Sequence, residues 1–216
     1  SATNELLARN KRAMGQLLNT AVSEDKVSFE DYICDDARGF GPYRIKCTMW
    51  REGETVILDF DGTDPQAVGS INFYLNENMF KMFFGIYMIM VFDPQVLVND
   101  GFYDLVDVRI PDGSLLKPNF PAALSCRTHA LGRIFDILGG LLGQGQPEFL
   151  NAAGFSSSPH LMFSGFEKDS GEWFQLFQIG FGGIPGRPWG DGPDGHSLWP
   201  GFTNVPNEFL ERYFPM

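Results

Sequence analysis

Leu6, Leu7, Met14, Leu17, Leu18 and Ala21 recur at helical spacing with Glu5, Arg9, Lys11 and Arg12 between them. This pattern predicts an amphipathic helix over residues 1–20, with a connector that ends near residue 27. Short apolar runs predict strands at 29–33, 43–50 and 55–60, the last two joined as a hairpin across the charged turn Arg51-Glu52-Gly53-Glu54. Residues 76–92 carry Met, Phe, Ile and Tyr on nearly every face before Asp93-Pro94, which predicts a helix buried all round. An imperfect alternation at 103–110, closed by Pro111-Asp112-Gly113, reads as a further strand.

A second long helix is predicted over 122–142, where Leu124, Leu131, Ile134, Phe135, Leu138, Leu141 and Leu142 keep a stripe and Pro121 sits at the first turn. Residues 160–166 and 173–179 pair as a hairpin across Lys168-Asp169-Ser170-Gly171, and 205–214 reads as a short closing helix. Internal repeats and linkers are missing from this pattern, so residues 1–216 are expected to form a single domain or one segment of a larger subunit. The predicted class is α+β: antiparallel hairpins packed with two apolar helices and long Gly/Pro-rich loops.

Composition sharpens this. The 21 Phe, 25 Gly and 14 Pro favour aromatic-packed turns and loops over a helical bundle. A net charge of -11 argues against nucleic acid and against an anionic membrane, since both recruit clustered Lys and Arg. The apolar run 79–92 contains Lys81 and falls short of the roughly 20 residues a spanning helix needs. Cys34, Cys47 and Cys126 form an odd set without metal-type spacing, which points to a reducing cytoplasm. Residues 1–20 lack the apolar core of a secretory leader.

Candidate chemistry concentrates in two places. In 180–200, glycines and prolines alternate with Arg187, Asp191, Asp194, His196 and two tryptophans. Asp191, Asp194 and His196 offer oxygen donors and an imidazole to a divalent cation, or else cap their own backbone in Asx-turns. Arg187, behind Gly182 and Gly183, could be presented to a carboxylate or phosphate, or pair with an Asp of the same loop. No P-loop pattern accompanies these glycines. On the long helix, Arg127, His129, Arg133 and Asp136 form one polar face. It reads either as a general acid or base, His129, oriented by Asp136, or as a salt-bridged surface stripe. Cys126 beside His129 is read as a small hydrophobe rather than a nucleophile. Asp59, Asp61 and Asp64 lack the downstream Glu of a calcium loop and read as turn chemistry, and Ser156–Ser158 as a loop able to form a nest of N–H groups.

Four stretches in order, LDFDGTDPQAVGSIN (58–72), VNDGFYDLVDVRIPDGSLLKPNFPAAL (98–124), GFGGIPGRPWGDGPDGH (180–196) and NVPNEFLERYFP (204–215), resemble the B-type subunits of hydantoinases, 5-oxoprolinases and acetone or acetophenone carboxylases. The resemblance covers most of the chain from about Tyr32 onward. It implies a middle portion of a longer subunit that completes an ATP-dependent amide hydrolysis or, alternatively, a ketone carboxylation; a structural interface module of the same complex is the third reading. It further implies an A-type partner that uses ATP and Mg, a divalent metal held by an N-terminal region rather than by these residues, and a small-molecule substrate in a hetero-oligomer. Arg127, His129, Arg187 and His196 are then the groups expected to face a phosphorylated intermediate, with Gly182, Gly183, Asp191 and Asp194 beside the substrate and no metal or other cofactor on this segment.

Overall fold

The computed structural model describes residues 1–149, 152–154, 160–180, 185–192 and 212. The Ser1 hydroxyl accepts the Asn4 N–H and starts α1 (Ala2–Ala21), whose stripe of Met14, Leu18 and Ala21 is buried. Its polar flank carries the surface pairs Lys11–Asp104 and Arg12–Glu5.

The sheet is built from β1 (Val27–Ile33), β2 (Tyr43–Glu52), β3 (Thr55–Asp59) and β4 (Val106–Arg109), hydrogen-bonded in that order. β1 and β2 are antiparallel, as are β2 and β3 across Gly53, whose φ of 61° suits glycine. The period-2 pattern divides the faces: Ile45, Cys47, Met49, Val56 and Leu58 point into the core. On the other face the cross-strand pair Trp50 and Ile57 is covered by Lys26, 4.2 Å from the Trp50 ring centroid, and by Arg109.

The strand expected at 103–110 is only half a strand. Asn99 caps a 3-10 turn, Asp100–Leu105, its Oδ1 accepting the Gly101 N–H at 2.9 Å, and β4 begins after it. Local Asx chemistry wins over alternation here. β4 then pairs parallel with β3, so the sheet is mixed and not composed of hairpins alone.

The crossover between β3 and β4 holds α2 (Glu77–Phe92), capped by Asn76, whose Oδ1 accepts the N–H of Asn78 and of Met79. Phe80, Phe84 and Met88 are buried, with Phe60 edge-on to Phe80. Gly85 leaves room for the Phe102 ring against the helix. Burial all round is not observed: α2 packs on β4 and the 3-10 turn, and through Phe83 and Tyr87 on Phe135, but leaves a stripe open in which Met82 is 37% and Met90 51% exposed.

The second long helix, α3 (Arg127–Gly145), starts later than the periodicity predicts. Residues 122–126 are held by the loop at 67–72: the Ser70 carbonyl oxygen accepts the N–H of Ser125 and Cys126, and Asn72 Nδ2 donates to the Ala123 carbonyl. Those backbone groups are committed to tertiary partners, so the helix begins where they end. Pro121 precedes the helix, in a cis peptide bond with Phe120. α3 packs over β1 and β2, and Gly140 lies against the Phe29 ring.

β5 (His160–Phe166) and β6 (Trp173–Ile179) form the expected hairpin as a separate two-stranded sheet. Leu161, Phe163, Phe174 and Leu176 stand on one face, Met162, Phe166, Trp173 and Phe177 on the other, and all eight are exposed. The predicted helix at 205–214 and the Ser156–Ser158 loop lie outside the described residues. The three cysteines are free thiols. Among the described residues no helix is long and apolar enough to cross a membrane.

Candidate functional site

Where β1 ends, the chain turns through Cys34, Asp35 and Asp36. Asp35 Oδ1 accepts the Ala37 N–H at 2.8 Å, which places Ala37 at φ 59°, a left-handed conformation uncommon for a residue with a Cβ. Asp36 is 1% exposed and fully bonded: Oδ1 accepts the N–H of Arg38 at 2.9 Å and of Phe40 at 3.1 Å. Its Oδ2 accepts the Gly69 N–H at 2.9 Å and the Tyr43 hydroxyl at 3.2 Å. Burial opposes ionisation, but the N–H groups of Arg38, Phe40 and Gly69 and the Tyr43 hydroxyl outweigh it and hold the Asp36 carboxyl below the usual carboxylate range.

Gly69 belongs to the loop that follows β3. A Cβ there would collide with the Asp36 backbone carbonyl and stand 2.7 Å from Asp36 Cβ, so only glycine permits this approach. Asn72 fixes the rest of the loop from inside. Fully buried, it accepts the Ala67 N–H at 2.7 Å and donates to the carbonyls of Ala67, Gly69 and Ala123. Ser70 is thereby held against the start of α3, its carbonyl oxygen 2.8 Å from Cys126 N.

On α3, Cys126, His129 and Arg133 follow one another at helical spacing along one face. Arg133 Nη1 donates to Asp31 Oδ2 on β1 at 3.0 Å and lies 3.8 Å from Asp136 Oδ2. Asp136 Oδ1 accepts the Gly154 N–H at 2.8 Å. The part of the polar stripe formed by Arg133 and Asp136 is thus salt-bridged to the sheet.

These three pieces enclose a cleft of about 350 Å³. Residues 32–37 form one wall, Ser70 and Ile71 the floor, and Cys126, His129 and Arg133 the opposite wall. Its size suits a small organic molecule. Within it stand an imidazole, two thiols, a guanidinium and the Asp35 carboxylate, a set able to move a proton and to orient a polar substrate. Two larger grooves hold less chemistry. The 380 Å³ groove beside β4 carries Lys117, paired to Glu77 at 3.0 Å and Asp112 at 3.2 Å, and Arg109, paired to Asp107 at 2.8 Å. The 460 Å³ groove along α1 carries Lys11 and Arg12, both in ion pairs.

Of the residues singled out from sequence, His129 lines the cleft. Arg127 is exposed at the first position of α3 and is not part of the lining. Arg187 and Asp191 are exposed on a tight turn closed by Arg187 N–H to the Gly190 carbonyl at 2.9 Å, also away from the cleft lining. Gly182, Gly183, Asp194 and His196 lie outside the described residues. Among the described residues, no three His, Cys, Asp or Glu side chains are grouped so as to hold a metal ion.

Asp35, Asp36, Ser70 and Cys126 join His129 although they come from three separated segments. No spacing motif connects them. The one sequence signal was punctuation: an Asp-Asp turn after a strand, and a Gly-Ser inside a loop of Asp, Gly, Pro and Asn.

Comparison with known proteins agrees with this architecture. The crystal structure of an ATP-dependent caprolactamase from Pseudomonas jessenii superposes with a TM-score of 0.67 over 80% of this chain and 29% of that one, at 22% identity. A relative from Pseudomonas sp. strain NS671, provisionally named as the B-type subunit of a D-/L-hydantoinase, is 24% identical over the whole of this chain, which spans 38% of its length. The 5-oxoprolinase PfmaA of Pestalotiopsis fici is 28% identical over 108 residues, half of this chain and 8% of that protein. The model of the hydantoinase B/oxoprolinase family matches residues 1–216 from end to end. The chain therefore belongs to the hydantoinase B/oxoprolinase family.

Proposed function

We propose that this chain is part of the B-type side of an ATP-dependent cyclic-amide hydrolase, and that the cleft between β1 and α3 forms one wall of its working cavity. The observation that carries the reading is the convergence of His129, Cys126 and Arg133 with the Asp35–Asp36 turn and Ser70 around about 350 Å³. Family membership and the fold shared with a caprolactamase support the same class of reaction. An unstrained amide resists water, so an A-type partner would activate its carbonyl with ATP, and the B-type side would admit water and manage protons. His129 is the group in the cleft suited to that proton transfer. Mg would accompany ATP on the partner.

The test is reconstitution of the full subunit with its A-type partner, reading ATP hydrolysis with hydantoin, 5-oxoproline or acetophenone. Stimulation by a cyclic amide, and its loss by about 100-fold or more in His129→Gln, is the expected result for a general acid or base. Stimulation by the ketone alone, with dependence on bicarbonate, would replace hydrolysis with carboxylation.

A second reading, a non-catalytic interface role, is favoured by the hairpin β5–β6, which is apolar and exposed on both faces. The two readings are separable: an interface module keeps turnover in His129→Gln and loses assembly when the hairpin is made polar.

A further inference from the structure

The cleft is bounded by a closed circuit of chain segments joined by hydrogen bonds. From Asp31 on β1 the chain runs to Asp36, whose Oδ2 takes the Gly69 N–H at 2.9 Å. The next residue, Ser70, takes the Cys126 N–H on its carbonyl at 2.8 Å, and the Cys126 carbonyl takes the His129 N–H at 3.1 Å. One turn further along α3, Arg133 returns to Asp31 at 3.0 Å. Asp36, Ser70, Cys126, His129 and Arg133 all line the enclosed space.

Three of the four hydrogen-bonded junctions lie within, or at the end of, a regular element or are repeated by neighbouring bonds. The junction between Asp36 and Gly69 is different. It joins two irregular loops, 33 residues apart, through one carboxylate and the Tyr43 hydroxyl bound to it, which also meets the Val68 backbone. Water does not compete for it, since Asp36 is 1% exposed. The same carboxylate gathers Arg38 N, Phe40 N and the Tyr43 hydroxyl, so its position is over-determined on its own side of the cleft. Gly69, in turn, sits where no side chain fits.

From this geometry we infer that Asp36 is a positioning residue for His129: it sets the distance between the wall at the end of β1 and the wall carried by α3, acting through Gly69, Ser70 and Cys126. An ionised carboxylate accepts four donors at once; an amide in its place offers one oxygen and turns an N–H group towards donors. In Asp36→Asn the Gly69–Ser70 segment therefore loses its tie to the end of β1 and keeps the one to Asn72, and the first turn of α3 moves relative to Asp35, which shares the cleft with His129 alongside Arg133, Cys34, Cys126 and Tyr32. The consequence for turnover rests on the proposed role of this cleft, whereas the structural claim does not.

The experiment follows the three histidines, His129, His160 and His196, by their ring-proton NMR signals as pH is varied, with His129→Gln assigning the first. In folded Asp36→Asn, judged by unchanged circular dichroism, the His129 signal shifts while the other two stay; that substitution also removes a negative charge from the cleft, so positioning is read from Tyr43→Phe, which keeps the charge. Tyr43→Phe, which deletes one donor to the carboxylate, gives a smaller shift of the same sign. A His129 signal that coincides with wild type in Tyr43→Phe overturns the inference. Should Asp36→Asn not fold, Tyr43→Phe decides alone: a shift confined to His129 supports positioning, and its absence refutes it. In the reconstituted complex, the expectation is a tenfold or greater loss in kcat with KM within about twofold. A shifted His129 with unchanged turnover would leave Asp36 as the positioning residue and refute the catalytic reading of the cleft.

Discussion

A single residue, Asp36, concentrates the physics of the site. It is charged, 1% exposed and yet satisfied, because four donors replace the water it gave up. Its lowered folded-state pKa has a definite sign in stability. Above the ordinary carboxylate value the folded form gains fully from the charged group; as pH falls through that value towards the lower folded one, the unfolded chain takes up the proton first and the gain is lost. Acid titration of the melting temperature is expected to fall more steeply below about pH 4 in wild type than in Asp36→Asn, which has no such carboxyl. Parallel slopes would show that Asp36 is no better stabilised in the folded state. The sequence displays the Asp-Asp turn and the Gly-Ser loop but not that one closes on the other, because a contact across 33 residues leaves no period in the chain.

At the scale of elements, α3 is tied by backbone at its start to the loop after β3, through Ser70, and to β1 by the Arg133–Asp31 ion pair and by Gln144, whose Nε2 donates to the Ser28 carbonyl at 3.1 Å. The Arg133 side chain is 23% exposed and Asp136 6%, so the group sits between a surface pair and a buried one. Arg133→Leu is expected to lower stability by about 1–3 kcal/mol, mostly because the Asp31 carboxylate loses the guanidinium it bonds. A chemical denaturation series checks this, and a double-mutant cycle with Asp31→Asn should recover a coupling of about 0.5 kcal/mol or more. Additive effects would mean the pair contributes nothing as a pair. Element types were legible where one period dominated: α1, β2, β3 and the β5–β6 hairpin match their patterns closely. The start of α3 and the first half of 103–110 were not, since tertiary carbonyls in one case and an Asx cap in the other claimed the backbone first.

For the whole molecule, the distribution of exposed apolar surface is the decisive feature. A two-stranded hairpin is marginal alone, and this one shows large apolar side chains on both faces, among them Phe166 at 73% and Trp173 at 59% exposed. Met82 and Met90 leave a further apolar flank on α2. Substituting Phe163→Ser together with Phe166→Ser is expected to reduce self-association of the isolated chain, read by light scattering over a concentration series, and to weaken assembly in the reconstituted complex. Unchanged scattering and unchanged assembly would remove the hairpin as an interface. The chain spans 38% of the hydantoinase relative and 29% of the caprolactamase chain, which agrees with a role exercised within a larger body.

The sequence by itself determined the α+β class, the elements with a single strong period and, through four ordered stretches, the family. It also placed His129 and Arg133 on one polar face of the long helix, the wall that α3 gives the cleft. Only the tertiary structure decided that His129 faces Asp35 and Asp36 across Ser70, while Arg127, at the first position of the same helix, stays outside the lining. The reason is physical. Periodicity records how each residue meets its near neighbours, whereas a site assembled from β1, the 67–72 loop and α3 is fixed by hydrogen bonds between segments whose separation along the chain is arbitrary.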